Sequence, residues 1–289
     1  MDDARRSPVW RCRCGLIAAA LFLVASTPPP AAAETLALTA QGAVAMDAYT
    51  GDLLYGKNPD QPLFPASTTK ILTALLVIEA GDLDQVITVA PEDTRVEPSS
   101  LDLRAGEQYT RRQMLYGLML KSANDVAMAL ARDNAGSVAE FGRKMTARAH
   151  QLGALSSRFT NPHGLHDPAH RSTARDLATI ARAAMEQPLF REIVSTQAYD
   201  WVNPKGTYPL ANKNRLLRDF PGCTGLKTGY TRAAGQVLVS SALRDGHEVI
   251  SVVMRADRPG IWTDSRKLLE LGLATSHPPA AAPAGAAAR

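Results

Sequence analysis

Hydrophobic and polar residues alternate loosely from Leu36 to Asp47, in a stretch rich in small and β-compatible side chains. Gly51-Asp52 follows as a turn and Leu53-Leu54-Tyr55 resumes the pattern, which predicts a hairpin. Thr68 to Glu79 is apolar at nearly every position, as in a helix buried almost all round. Gln85 to Val89 predicts a short strand, and Arg112 to Met119 opens a helix that turns Leu115, Leu118 and Met119 inward. Asp125 to Arg132 and Ser137 to Leu152 carry helical spacing. Asn161-Pro162-His163-Gly164 has the composition of a turn or loop. Thr173 to Gln187 is helical again, with Leu177, Ile180, Ala181 and Ala184 on one face, and stops before Pro188.

From Tyr199 onward the pattern changes. Gly225 to Thr228, Ala234 to Ala242 and Glu248 to Arg255 read as strands, Gly246 marks the turn between the last two, and Asp264 to Leu273 closes with a helix. Strands therefore come from both ends of the chain and helices from its middle. That order predicts an α+β fold: one antiparallel sheet flanked by helices, with a helical subdomain inserted between its strands.

The two ends read differently from the middle. Arg5, Arg6, Arg11 and Arg13 precede an apolar stretch from Gly15 to Val24, and Ala31-Ala32-Ala33 comes before Glu34. A basic region, a short apolar core and small residues at a cleavage site predict a signal peptide over residues 1–33, and hence export to the periplasm or the medium. The apolar core is short of the ~20 residues that a spanning helix needs. A catalytic domain is expected over 34–275, and an unfolded Ala/Pro tail over 276–289. That tail has no apolar face for a membrane surface, so no stable anchor is expected after signal cleavage.

Charge and cysteine content narrow the class. Losing residues 1–33 removes four arginines and two aspartates, which lowers the formal charge from +4 to +2. No concentrated basic face remains for nucleic acid. Of three cysteines only Cys223 lies beyond the predicted signal, so an internal disulfide is excluded there and Cys223 reads as a bystander thiol.

The candidate chemistry begins at Ser67-Thr68-Thr69-Lys70, at the start of the first apolar helix. A serine and a lysine three apart on a helix share a face, so a partly neutral Lys70 amine can take the Ser67 hydroxyl proton without any histidine. Taken alone, Ser67 would be read as a helix cap. Two further motifs change that reading: Ser122-Ala123-Asn124 and Lys227-Thr228-Gly229. Serine in S-x-x-K, a serine–asparagine motif and K-T-G together form the signature of penicillin-binding proteins and class A β-lactamases. A hydroxyl at 122 can pass a proton to a leaving amine and Asn124 can hold Lys70 and a substrate amide. On the predicted strand, Lys227 supplies charge, Thr228 a hydroxyl for a carboxylate, and Gly229 room for close backbone approach.

These three motifs, with Asn161-Pro162-His163-Gly164-Leu165, Ser172-Thr173-Ala174-Arg175-Asp176 and Gly225 to Thr231, resemble the serine-type D-Ala-D-Ala carboxypeptidases, the low-molecular-mass penicillin-binding proteins. The resemblance runs from about residue 36 to 273, in the family's order and spacing. It implies a β-lactamase/transpeptidase-like fold with the site between sheet and helical subdomain. It implies that Ser67 is acylated, Lys70 is its general base and Ser122 relays the proton. Asn124 and Lys227 would then orient substrate and catalytic groups, Thr228 would meet the substrate carboxylate, and the N–H groups of Ser67 and Tyr230 would form the oxyanion hole. The substrates implied are peptidoglycan stem peptides, with β-lactams as covalent inhibitors and no cofactor. Arg175 and Asp176 read as a structural buttress.

One position departs from the pattern. Members often carry an arginine just before an aromatic residue, and an Asp two positions on, to grip the substrate's terminal carboxylate. Here the run is Ile261-Trp262-Thr263-Asp264. Arg255 and Arg258 are the nearby candidates to replace it, and a D,D-endopeptidase acting on cross-links would not need it. A β-lactamase is a further alternative, although the mid-chain helices offer no counterpart to the glutamate that class A enzymes use. A wall-binding protein with a degraded site is disfavoured by the intact motifs. His163, His166 and His170 fall in a Pro- and Gly-punctuated loop without helical i, i+4 geometry or a nearby acidic motif, so no metal site is expected.

Overall fold

The computed structural model describes Met1 and residues 36–275. Apart from Met1, the predicted signal peptide lies outside the described residues, as does the Ala/Pro tail. The chain enters through β1 (Gly42–Asp47), buried at all six positions, and returns as β2 (Leu53–Lys57). A 3-10 turn at Ala66–Thr69 feeds α1 (Lys70–Ala80), whose first eight residues are all buried. Next come β3 (Val86–Thr88) and β4 (Gln108–Thr110), paired with each other, and then α2 (Arg111–Tyr116). Thr110 and Gln113 form a reciprocal capping box that sets the start of α2.

A π-helical turn, Gly117–Lys121, follows, then α3 (Asn124–Ala135), α4 (Val138–Gln151), α5 (Ala174–Met185) and α6 (Pro188–Ser195). The hairpin of β5 (Ala198–Asn203) and β6 (Gly206–Ala211) and the short α7 (Leu216–Asp219) lead to β7 (Cys223–Thr231), β8 (Gly235–Arg244) and β9 (His247–Ala256). The chain ends its described part in α8 (Gly260–Thr275).

The main sheet has the order β2-β1-β9-β8-β7, antiparallel throughout. It is built from both ends of the chain with the helices inserted between, as the sequence predicts. Alternation assigns its faces. Val44, Met46, Val239, Ile250 and Val252 pack into the large core under α1 to α6, whereas Ala43, Ala45, Leu238, Val249 and Val253 meet Leu268 and Leu269 of α8. Both faces being covered explains why β8 and β9 read as apolar runs.

Several elements depart from the expected pattern, the short β4 and α7 among them. Pro188 does not merely end a helix; it occupies the first turn of α6, where its missing N–H costs nothing. The β5–β6 hairpin was not predicted, because only Trp201 and Leu210 along it are fully buried. Most of its side chains face water, so it carries little hydrophobic signal.

Candidate active site

Ser67 sits in the 3-10 turn and Lys70 is the first residue of α1, so the three-residue spacing stacks hydroxyl and amine. Neither Ser67 nor Thr69 caps a helix through its side chain. The Lys70 side chain is fully buried. Its Nζ lies 2.7 Å from Asn124 Oδ1, 2.8 Å from the His163 carbonyl oxygen and 3.3 Å from Ser67 Oγ. Burial, then the charges of Lys227 and Lys213, hold its pKa well below that of a free lysine, against the opposing pull of Asp125. An uncharged amine has two N–H donors and one lone pair. Its donors match the two carbonyl-type oxygens, and the lone pair is left for the Ser67 hydroxyl. That arrangement can take a proton from Ser67.

Ser122 reaches the cleft by an unusual backbone route. The π-turn ends in Ser122 with a left-handed backbone (φ 67°), a conformation that costs a non-glycine residue about 1–3 kcal/mol. It is not the cap of α3: Ala123 holds that position with no side-chain bond. Tertiary hydrogen bonds hold the strained residue in place. Asn124 N–H donates to the Ser99 carbonyl at 2.7 Å and its Nδ2 to the Glu97 carbonyl at 2.8 Å. The buried Asp125 carboxylate accepts from the N–H groups of Leu101 and Leu103. The 97–103 segment is thus clamped beside Ser122, whose hydroxyl has no partner among the described residues and is left for a ligand.

β7 is an edge strand of the main sheet, and its outer side faces the 3-10 turn. Lys227 is buried there, its Nζ donating to the Thr228 carbonyl at 3.0 Å, and burial aided by Lys213 brings its pKa down to about 7. A Cβ on Gly229 would stand 2.8 Å from Ser67 N and 3.1 Å from Thr68 N, so only glycine lets strand and turn approach this closely. Thr228 is half-buried and Tyr230 is 62% exposed at the rim.

The Asn161–Gly164 loop closes the back of the site. Asn161 Oδ1 accepts from Gly164 N–H at 2.7 Å, and the Pro162 carbonyl accepts from Thr73 Oγ1 at 2.7 Å. This places the His163 carbonyl on Lys70. Gly164 (φ 83°) lies against the Ala66 carbonyl so tightly that no Cβ fits. The three histidines have other work: His163 Nδ1 accepts from Leu165 N–H, His170 bridges Thr69 and Thr160, and His166 meets the Phe64 ring edge-on. Burial lowers His163 to about 3 and His170 to about 4. Arg175 pairs with Asp60 and Asp176 holds the backbone of Ser156, both away from the cleft. The Cys223 thiol is pushed up to about 11 by burial, and Cys223 does not line the cleft.

Ser67, Ser122, Asn124, Thr228, Gly229 and Tyr230 line one cleft of about 870 Å³, with Lys70 and Lys227 buried beneath. Its wall also carries Lys213, Arg215 and Arg258, and Asp257 is the one acidic side chain in the lining. Lys213 and Arg215 stand in no recognisable motif, so sequence reasoning missed them. Arg258 lines the cleft, whereas Arg255 does not. Ile261 lines it too, as part of the buried cluster under α8.

Comparison with known proteins identifies the family. The sequence pattern of the D-alanyl-D-alanine carboxypeptidases, peptidase family S11, matches residues 28–258. A D-alanyl-D-alanine carboxypeptidase of Mycobacterium tuberculosis is 35% identical over 81% of this chain and 82% of its own. A D-alanyl-D-alanine endopeptidase of Pseudomonas aeruginosa is 34% identical over 89% of this chain and 86% of its own. The crystal structure of the Streptomyces K15 DD-transpeptidase superposes with a TM-score of 0.77 at 36% identity, covering 82% of this chain and 98% of that one. The chain belongs to the D-alanyl-D-alanine carboxypeptidase family and is a serine-type peptidase of peptidoglycan.

Proposed function

We propose that this protein is exported, removes the terminal D-alanine from peptidoglycan stem peptides, and does so through an acyl-enzyme on Ser67. The observation that carries the reading is the buried Lys70 amine, whose two best hydrogen bonds go to carbonyl oxygens and whose third neighbour is Ser67 Oγ. Ser67 Oγ attacks the carbonyl of the penultimate D-alanine as its proton passes to Lys70 Nζ. The N–H groups of Ser67 and Tyr230 receive the oxyanion; one such donor is typically worth about 10²–10³ in rate. Ser122 returns the proton to the leaving amine, D-alanine departs, and water then cleaves the ester and frees Ser67. Asn124 and Lys227 orient these groups, while Thr228 and Gly229 admit the peptide along the β7 edge. A β-lactam acylates the same Ser67 and leaves slowly.

No helix among the described residues is long and apolar enough to cross a membrane. Release after signal cleavage, without a stable anchor, is part of the proposal and rests on the sequence of the two chain ends. A second reading, D,D-endopeptidase action on cross-links, is favoured by Ile261 at the position where an arginine is expected. Product analysis on pentapeptide and on cross-linked muropeptides separates the two. Free D-alanine from the pentapeptide is the expected result, and monomers from the cross-linked substrate alone would point to the endopeptidase. Ser67→Ala is expected to lose both D-alanine release and the intact-mass adduct with penicillin. A variant that kept full turnover would overturn the assignment, and rapid turnover of penicillin by the unaltered protein would indicate a β-lactamase.

A further inference from the structure

A peptide that ends in a free carboxylate brings one fixed negative charge to the mouth of this cleft. At Ile261 the wall offers no charge: that side chain is 2% exposed and packs into the core under α8. Two guanidinium groups line the same cleft from elements on either side. Arg215 comes from the turn ahead of α7, and Arg258 from the connection between β9 and α8. Both are exposed, and neither forms an ion pair or side-chain hydrogen bond among the described residues. Half-buried arginines elsewhere are committed: Arg132 to Asp93, Arg191 to Glu248.

Arg215 also has an aromatic neighbour in the cleft wall. Its guanidinium carbon lies 5.6 Å from the ring centre of Trp262, the residue after Ile261, and Trp262 lines the cleft as well. A cation–π contact at that distance keeps the guanidinium near the ring while leaving its N–H groups available. Asp257, the acid nearest in sequence to Arg258, has Oδ1 engaged by Gly260 N–H at 2.5 Å. The cleft therefore presents two uncommitted cations beside an apolar residue, which suits a planar anion at the end of a bound chain.

We propose that Arg215, steadied by Trp262 and assisted by Arg258, grips the free C-terminal carboxylate of the substrate in place of an arginine at position 261. The inference rests on the peptidase reading above and names the residues that set its preference for a chain end. Both arginines are then specificity determinants on a turn and a loop, so the strand machinery around Ser67 is unchanged by their loss.

The test compares an N-acylated L-Lys-D-Ala-D-Ala tripeptide with its C-terminal amide, as kcat/KM, for the unaltered protein and for Arg215→Ala, Arg258→Ala, the double variant and Arg215→Lys. A charge-assisted, bidentate contact supports an expected preference of about 10-fold or more for the acid. The double variant is expected to lose that preference by slowing on the acid alone, with its rate on the amide kept and its penicillin adduct still formed. Arg215→Lys should restore part of the preference. An equal loss on acid and amide would make the arginines structural and overturn the proposal, as would a double variant with the original ratio. An unaltered protein that cleaves neither substrate and forms no penicillin adduct would instead sink the peptidase reading, and this inference with it.

Discussion

Three oxygens surround the Lys70 amine, and its chemistry follows from how many protons it holds. Burial and two like charges favour the uncharged form, and in that form Ser67 can give up its proton. Lys213 acts on both amines of the site, since its charge lowers Lys70 and Lys227 alike. Removing a like charge raises the pKa of the group it opposed. In Lys213→Ala the neutral fraction of Lys70 at a given pH therefore falls. The acid limb of penicillin acylation is expected to move to higher pH, with a loss of severalfold near neutrality and recovery at alkaline pH. A stopped-flow pH profile of acylation measures this, and an unmoved acid limb would mean that Lys213 does not act on Lys70. Because the two amines interact, the limbs report the pair rather than either residue. Of all this, the hydroxyl–amine spacing and Asn124 as a partner of Lys70 were legible in the sequence. The protonation state was not, because it depends on burial and on charges brought from elsewhere in the chain.

Among the elements, short irregular segments carry the site and long regular ones carry the segments. Ser122 depends on the π-turn, and that turn rests on the β5–β6 hairpin. Tyr199 stacks on Tyr116 with ring centres 4.0 Å apart, and a Cβ on Gly117 would meet the Trp201 ring at 3.1 Å. The hairpin was illegible because its two anchoring aromatic side chains sit among exposed positions. The Asn161–Gly164 segment was legible as a turn but not as the donor of a carbonyl to Lys70, since that role belongs to backbone and not to any side chain. Gly164→Ala tests it. A left-handed backbone and a Cβ driven into the Ala66 carbonyl should cost about 2 kcal/mol or more, from strain and overpacking. A melting temperature several degrees lower is expected, and acylation should slow more than stability alone explains, because the Ala66 side of the loop shifts Ser67. An unchanged melting curve and acylation rate would refute the packing argument.

For the molecule as a whole, the sheet and the helices must hold a fixed distance, because the cleft is the gap between them. Among the described residues, one bond between the helices and the main sheet is ionic. Arg191 of α6 donates from both terminal nitrogens to Glu248 of β9, at 2.9 and 2.7 Å, and the carboxylate is 2% exposed. Arg191→Ala would leave that carboxylate buried with only a long contact from Thr224. A cost of about 3 kcal/mol is expected from the stranded charge, read as a lower urea midpoint at constant slope. Replacing both partners by apolar residues should recover much of it, and a single variant with the original midpoint would show that the pair contributes nothing.

By itself the sequence determined the order of elements, the antiparallel sheet drawn from both chain ends, and the local pairing of hydroxyl with amine. Hydrophobic periodicity and short motifs are local properties, and they survive being read along a line. Only the tertiary structure decided what surrounds the amine beyond the motif residues: the His163 carbonyl comes from 93 positions away, and the charge of Lys213 from a segment outside every motif. It also decided that Ile261 is turned into the core while Arg215 and Arg258 face the cleft. Dielectric, charge proximity and side-chain direction arise from packing between distant segments, and no single stretch of chain encodes them.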